Sequence, residues 1–157
     1  MKILIILVFF NIFKLQTATW IEENVGNIVS YEKINLPDGS VYSISKGTGG
    51  GKDNTGKYTS GSCIGHRLEK NNSLIELKFF CNVELSNGDK YYFMQYRTKS
   101  DTDVGVGKGT ILGGTGVFSK LIGAKCIYGI KHIKKKVYNT TKCEIPDNIF
   151  NELENDN

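Results

Sequence analysis

The chain has 157 residues, the length of one domain, enough to bury most of its apolar surface unaided. Its 20 Lys and Arg against 16 Asp and Glu give a formal charge of +4; without residues 1–19 the balance is 18 against 16, or +2. That is too weak a field to argue for a nucleic-acid partner.

Lys2, the unbroken apolar run Ile3–Phe10 and the small residues Thr17, Ala18 and Thr19 stand in the order of a secretory signal peptide. A buried first strand or an uncleaved anchor would use the same residues. The run is short of the roughly 20 residues a membrane helix needs, and Lys14 breaks it. The expected layout is a signal peptide over 1–19, a β-barrel domain over 20–146 and a short helix with a disordered acidic tail over 147–157. Such a protein is secreted or periplasmic, with no stable membrane span after cleavage. All four cysteines, Cys63, Cys81, Cys126 and Cys143, fall in the mature part and favour disulfides, with three pairings open. Cys63-x-x-His66 looks like half a zinc site, but residues three apart on a strand point to opposite faces. Neither a metal nor another cofactor is expected.

Period-2 alternation dominates from about residue 25 to 133, and no long helical pattern interrupts it. Strands are expected near 28–35 and 41–46, divided by the turn Pro37-Asp38-Gly39. The glycine-rich stretch 47–56 reads as a flexible hairpin loop. Gly51–Lys57 also matches G-x4-G-K of a phosphate-binding loop. Yet Tyr58 stands where a Ser or Thr should hold Mg²⁺, and a strand pattern follows where a helix is needed. A strand over roughly 57–68 comes next. With Asn71-Asn72-Ser73 as a three-residue loop, Lys70 pairs with Leu74 and Cys63 falls opposite Cys81, close enough to bridge. Cys126 and Cys143 then pair by elimination.

The clearest strand is 74–85: Ile75, Leu77, Phe79, Cys81, Val83 and Leu85 share one face, and Glu76, Lys78, Asn82 and Glu84 the other. Asn87-Gly88 follows, the signal of a two-residue type I′ hairpin. A turn of that length sets Val83 opposite Tyr92, Cys81 opposite Met94 and Phe79 opposite Tyr96, all on one face. Leu77, Phe79, Tyr92, Met94 and Tyr96 are then the candidate lining of a ligand cavity, although core packing explains the same aromatic set. Lys99–Asp103 marks a loop, and in the strand near 104–112 the alternating Gly105, Gly107 and Gly109 let a barrel wall bend. After a strand near 124–133, Lys131, Lys134, Lys135, Lys136 and Lys142 cluster ahead of a tail carrying Glu144, Asp147, Glu152, Glu154 and Asp156. A solvated turn beside a frayed tail explains them more cheaply than a polyanion-binding patch. Ile149-Phe150-x-x-Leu153 has the spacing of a helical turn packed on the barrel, with residues 154–157 disordered. His66 and His132 lie far apart in sequence, and no catalytic constellation can be named.

Between the last two of these β-rich runs lies GTILGGTGVFSKLIGAKCIYGI, residues 109–130, whose clustered glycines mark a tight bend. The arrangement GGTG-x-F-x4-G resembles the signature of the allene oxide cyclase and dirigent barrels, and of bacterial secreted proteins built on the same barrel. From about Lys57 to Ile130 the chain is similar to that bacterial branch: cysteine-bearing strands and a Gly88-Asp89 step precede the signature. The resemblance implies an all-β, closed antiparallel barrel of about eight strands, with a two-sheet sandwich as the alternative. Within it Gly113, Gly114, Thr115, Gly116, Phe118 and Gly123 would be structural. The plant relatives suggest oligomers, and no catalytic acid of the family carries over onto a position here.

Three functions fit such a barrel. The leading expectation is a non-catalytic, exported binder of a small apolar or amphipathic molecule. The second is an isomerase or cyclase of the allene oxide cyclase type, and the third a solid-core adhesive module acting through Lys131–Lys136. A cavity of roughly 300 Å³ or more separates the first two from the third. A buried Glu, Asp or His at its floor favours the enzyme.

Overall fold

In a computed structural model, residues 16–134 and 136–156 are described. Most of the expected leader, residues 1–15, lies outside them, as do Lys135 and Asn157. Among the described residues nine strands run β1 Thr17–Asn35, β2 Ser40–Asp53, β3 Tyr58–Lys70, β4 Ser73–Leu85, β5 Lys90–Arg97, β6 Ser100–Asp101, β7 Val104–Gly114, β8 Lys125–Ile133 and β9 Lys136–Pro146, with helix α1 over Asp147–Asn155. Leaving out the two-residue β6, which pairs with the start of β4, each strand is antiparallel to the next, and β1 pairs with β9. The result is an up-and-down barrel of eight strands with no long free edge.

Alternation divides inside from outside. On β4 Leu77, Cys81 and Leu85 are buried while Phe80 is exposed; on β5 Tyr91 and Phe93 are buried while Tyr92 is exposed. One end of the barrel is filled. Trp20, Leu85, Tyr91, Phe118, Ile145, Ile149 and Leu153 pack there as one cluster, in which the Phe118 ring stacks on Tyr91 at 4.8 Å and meets Trp20 edge-on at 5.6 Å. The glycine signature builds this plug. Gly113 and Gly114 end β7, and a 3-10 turn over Gly116–Leu121 folds Phe118 back into the barrel. A Cβ on Gly114 would stand 2.5 Å from that of Phe118, so the close approach requires glycine. Helix α1 covers the same end with Ile149 and Leu153, and it continues through Glu154 and Asn155 where disorder was the sequence-based expectation. Lys57, the lysine of the phosphate-loop look-alike, is buried and donates from Nζ to the Leu153 carbonyl near the helix C-terminus, where a cation is favoured.

Three expectations about strands are corrected. First, residues 47–53 are strand rather than loop. The backbones of β1 and β2 approach so closely there that a Cβ on Gly51 would lie 1.8 Å from the Glu23 carbonyl oxygen, so the glycines permit pairing. Second, the β3–β4 turn is Asn71-Asn72, both with positive φ, pairing Lys70 with Ser73. An irregularity between Leu68 and Glu69 restores the register, so Cys63 still meets Cys81. Third, the β4–β5 hairpin is one residue longer than expected. Leu85 N donates to the Asp89 carbonyl at 2.8 Å, Gly88 N donates to the Leu85 carbonyl at 2.9 Å, and Gly88 takes φ +90°. This closes a three-residue loop. Val83 therefore faces Tyr91, Cys81 faces Phe93 and Phe79 faces Gln95. A one-residue slip turns every side chain of β5 over.

Candidate functional site

Beyond the plug the barrel interior is not filled. A cavity of about 200 Å³ is walled by Leu77, Phe79, Val83, Phe93, Ile130 and Val137, together with Cys63 and Cys81. Of the expected lining residues, Leu77 and Phe79 are here. Tyr92, Met94 and Tyr96 stand on the outer face of β5, Tyr92 51 % exposed, beside Phe80 and Leu112. The slipped hairpin register is the reason: Tyr91, Phe93 and Gln95 take the inward places.

Both disulfides form. Cys63–Cys81 ties β3 to β4 with Cα atoms 4.0 Å apart and stands in the cavity wall. Cys126–Cys143 ties β8 to β9 at 4.2 Å next to Trp20 in the plug cluster. They fit an oxidising compartment. His66 points outward to Glu76, 3.0 Å from Nε2 to Oε1. Among the described residues no group of three His, Cys, Asp or Glu side chains is placed to hold a metal ion, and no helix is long and apolar enough to cross a membrane.

The cavity floor, where it meets the plug, is polar. Glu22 projects inward from β1 and is 3 % exposed. Its Oε2 accepts the Tyr91 hydroxyl at 2.6 Å, while Oε1 has no hydrogen-bond partner among the described residues. Burial raises the Glu22 pKa above its ordinary 4.5, and the nearby Asp53 charge adds to this; Tyr91, Thr59 and Asn24 work against it. The Tyr91 phenol is pushed well above its usual range, by burial first and by Glu22 next. Asp53 is held apart from the cavity: Oδ2 accepts Trp20 Nε1 at 3.1 Å, and Oδ1 accepts the backbone N–H groups of Thr55 and Lys57. Glu22 is thus a buried carboxyl whose pKa is raised by its surroundings, with one oxygen fixed by Tyr91 and the other buried without a hydrogen-bond partner among the described residues. Such a group can donate a hydrogen bond, or a proton, to a guest.

At the other end the cavity reaches Tyr31, Arg67, Thr102 and His132. Burial lowers the His132 pKa, Arg67 and Arg97 push the same way, and Asp103 opposes them. Arg67, Leu77 and Arg97 lie side by side across β3, β4 and β5.

Sequence reasoning missed Glu22, Tyr91 and Arg97. Glu22 shares its face with Trp20, Asn24 and Gly26, and four such residues give no apolar alternation to read. An inward parity counted back from Gly26 along β1 would have found it.

No known protein family matches the sequence, and no curated protein matches it. In fold, the chain is similar to the crystal structure of the conserved protein of unknown function RPA1785 from Rhodopseudomonas palustris. The two are 12% identical with a TM-score of 0.61, over 83% of this chain and 99% of that one. At that identity the likeness shows a shared barrel and nothing of its chemistry.

Proposed function

We propose that this chain is an exported barrel that binds a compact, mainly apolar molecule in its interior, with Glu22 as the polar contact. The observation that carries the reading is the cavity itself, mainly apolar on its walls and with the buried Glu22 among its lining residues. An apolar cavity of roughly 150 Å³ suffices for benzene, whereas common ligand pockets start near 300 Å³. At about 200 Å³ the cavity falls short of the roughly 300 Å³ expected, but it is not a filled interior and suits a guest of one or two fused rings, or a short branched chain. Export rests on the two disulfides and the leader-like order of residues 1–19. The GGTG-x-F-x4-G signature, which here builds the plug, supports membership in the allene oxide cyclase-like barrels.

A second reading, an isomerase or cyclase, is favoured by one observation: the buried Glu22–Tyr91 pair with its raised carboxyl pKa. A proton donor beside a confined reactive guest is enough for ring closure or double-bond migration.

The test is calorimetric titration with 2-naphthamide, a compact neutral aromatic. The wild-type protein should bind it, and Val83→Phe, which fills the cavity from β4, should lose at least roughly tenfold in affinity while keeping a β-type circular dichroism spectrum. Unchanged affinity in the filled variant would put the guest elsewhere and end the proposal.

A further inference from the structure

Arg97 is 2 % exposed, the last residue of β5 and directed inward. Its Nη2 donates to the Thr102 carbonyl at 3.3 Å, but Nε and Nη1 have no hydrogen-bond partner among the described residues, and none of the ion pairs there includes it. The hydroxyl of Tyr128, on β8, is likewise buried and unpartnered. Both side chains lie over glycines of β7. A Cβ on Gly105 would come within 2.3 Å of Arg97 Nη1, and one on Gly107 within 2.6 Å of the Tyr128 hydroxyl. The alternating glycines of β7 thus hollow the barrel wall, and what fills the hollow is a guanidinium and a phenol.

A buried cation without a counter-charge is costly, and an arginine cannot escape the cost by losing its proton. The other groups facing it do not resolve this. Arg67 is a second cation, itself paired to Glu69 at 3.2 Å. Asp101 acts on Arg97 only from beyond ion-pair distance, and burial is the largest influence on the guanidinium. Thr102, which accepts from Arg97, and Arg67 both line the cavity. Two unused guanidinium N–H directions and a phenolic O–H, buried outside the cavity lining that Arg97 reaches through Thr102, to which it donates, match the needs of a carboxylate.

We propose that this end of the barrel is an anion site, in which Arg97, assisted by Tyr128 and Arg67, receives the carboxylate of an amphipathic guest whose apolar body occupies the cavity. The inference rests on the interior-binding reading and narrows the ligand class to compact monocarboxylates.

The experiment compares 2-naphthoate with 2-naphthamide, molecules of the same shape that differ in charge, by titration calorimetry. The wild-type protein should prefer naphthoate by roughly tenfold or more, the scale of a charge-assisted contact in a dry site. Arg97→Met should abolish that preference while still binding naphthamide, and its ligand-free thermal midpoint should equal or exceed the wild type, since an uncompensated charge has gone. Tyr128→Phe, which removes one oxygen, should lose several-fold in naphthoate affinity alone; it decides the matter should the Arg97 variant not fold. Equal binding of the two probes by the wild type, or a preference that survives Arg97→Met, overturns the anion site and leaves the interior-binding reading intact. Failure of both probes to bind overturns the two together.

Discussion

Glu22 concentrates the chemistry of the interior at one side chain. Its pKa is raised by burial, so the folded state holds the proton more tightly than the unfolded chain does. The sign follows directly: the contribution is fully present below the ordinary pKa of 4.5 and is lost as pH rises through the folded value. Glu22→Gln, which keeps the shape and the hydrogen bond from Tyr91 without titrating, should remove this slope. Thermal midpoints of wild type and variant measured from pH 4 to 8 should diverge with rising pH, the variant becoming the more stable. Parallel curves would show that Glu22 is solvated in the native state. The residue was invisible to pattern reading because a lone acid among mixed neighbours is ordinarily a surface group; only barrel closure, which turns β1 so that Glu22 faces Tyr91, gives it significance.

Among the elements, the hairpins show where sequence stops deciding. Asn87-Gly88 marked the β4–β5 turn correctly, yet Asn-Gly serves a two-residue loop and a three-residue loop with glycine last equally well. Alternation did not choose either, because Tyr91, Tyr92, Phe93 and Met94 are all apolar. The choice is made on the neighbouring strand β7, where inward Phe93 lies against Gly109: a Cβ there would be 2.0 Å from the ring. The Cys63–Cys81 pairing was legible despite a misjudged turn, since the shorter turn and the irregularity at Leu68/Glu69 offset each other. The second bridge, Cys126–Cys143, joins β8 to β9 across 17 residues. Replacing both cysteines by serine should cost about 3 kcal/mol on the chain-entropy account, read as a shift in the urea midpoint. A loss below roughly 1 kcal/mol would mean that the β8–β9 turn alone holds the pair.

At the scale of the whole molecule the decisive contact is between the first and last described strands. β1 pairs with β9 from Thr17 opposite Pro146 to Asn27 opposite Lys136. A protein ending at Ile133 would leave β1 and β8 with open edges, and would lose Cys143, Ile145 and helix α1 from the plug. We expect such a truncation to show no cooperative thermal transition and to bind apolar dyes nonspecifically. A native-like transition would show that the first eight strands are self-sufficient. The barrel class was legible because regular alternation, hairpin signals and the glycine signature agree. The cavity was not, since whether a barrel interior is filled depends on side chains from all the strands at once.

The plug has one more consequence. With Phe118, Trp20 and α1 sealing one end, the interior is a cup and not a conduit. On the proposed interior-binding reading, a guest would enter and depart over the same rim, so loading and unloading would compete for one doorway.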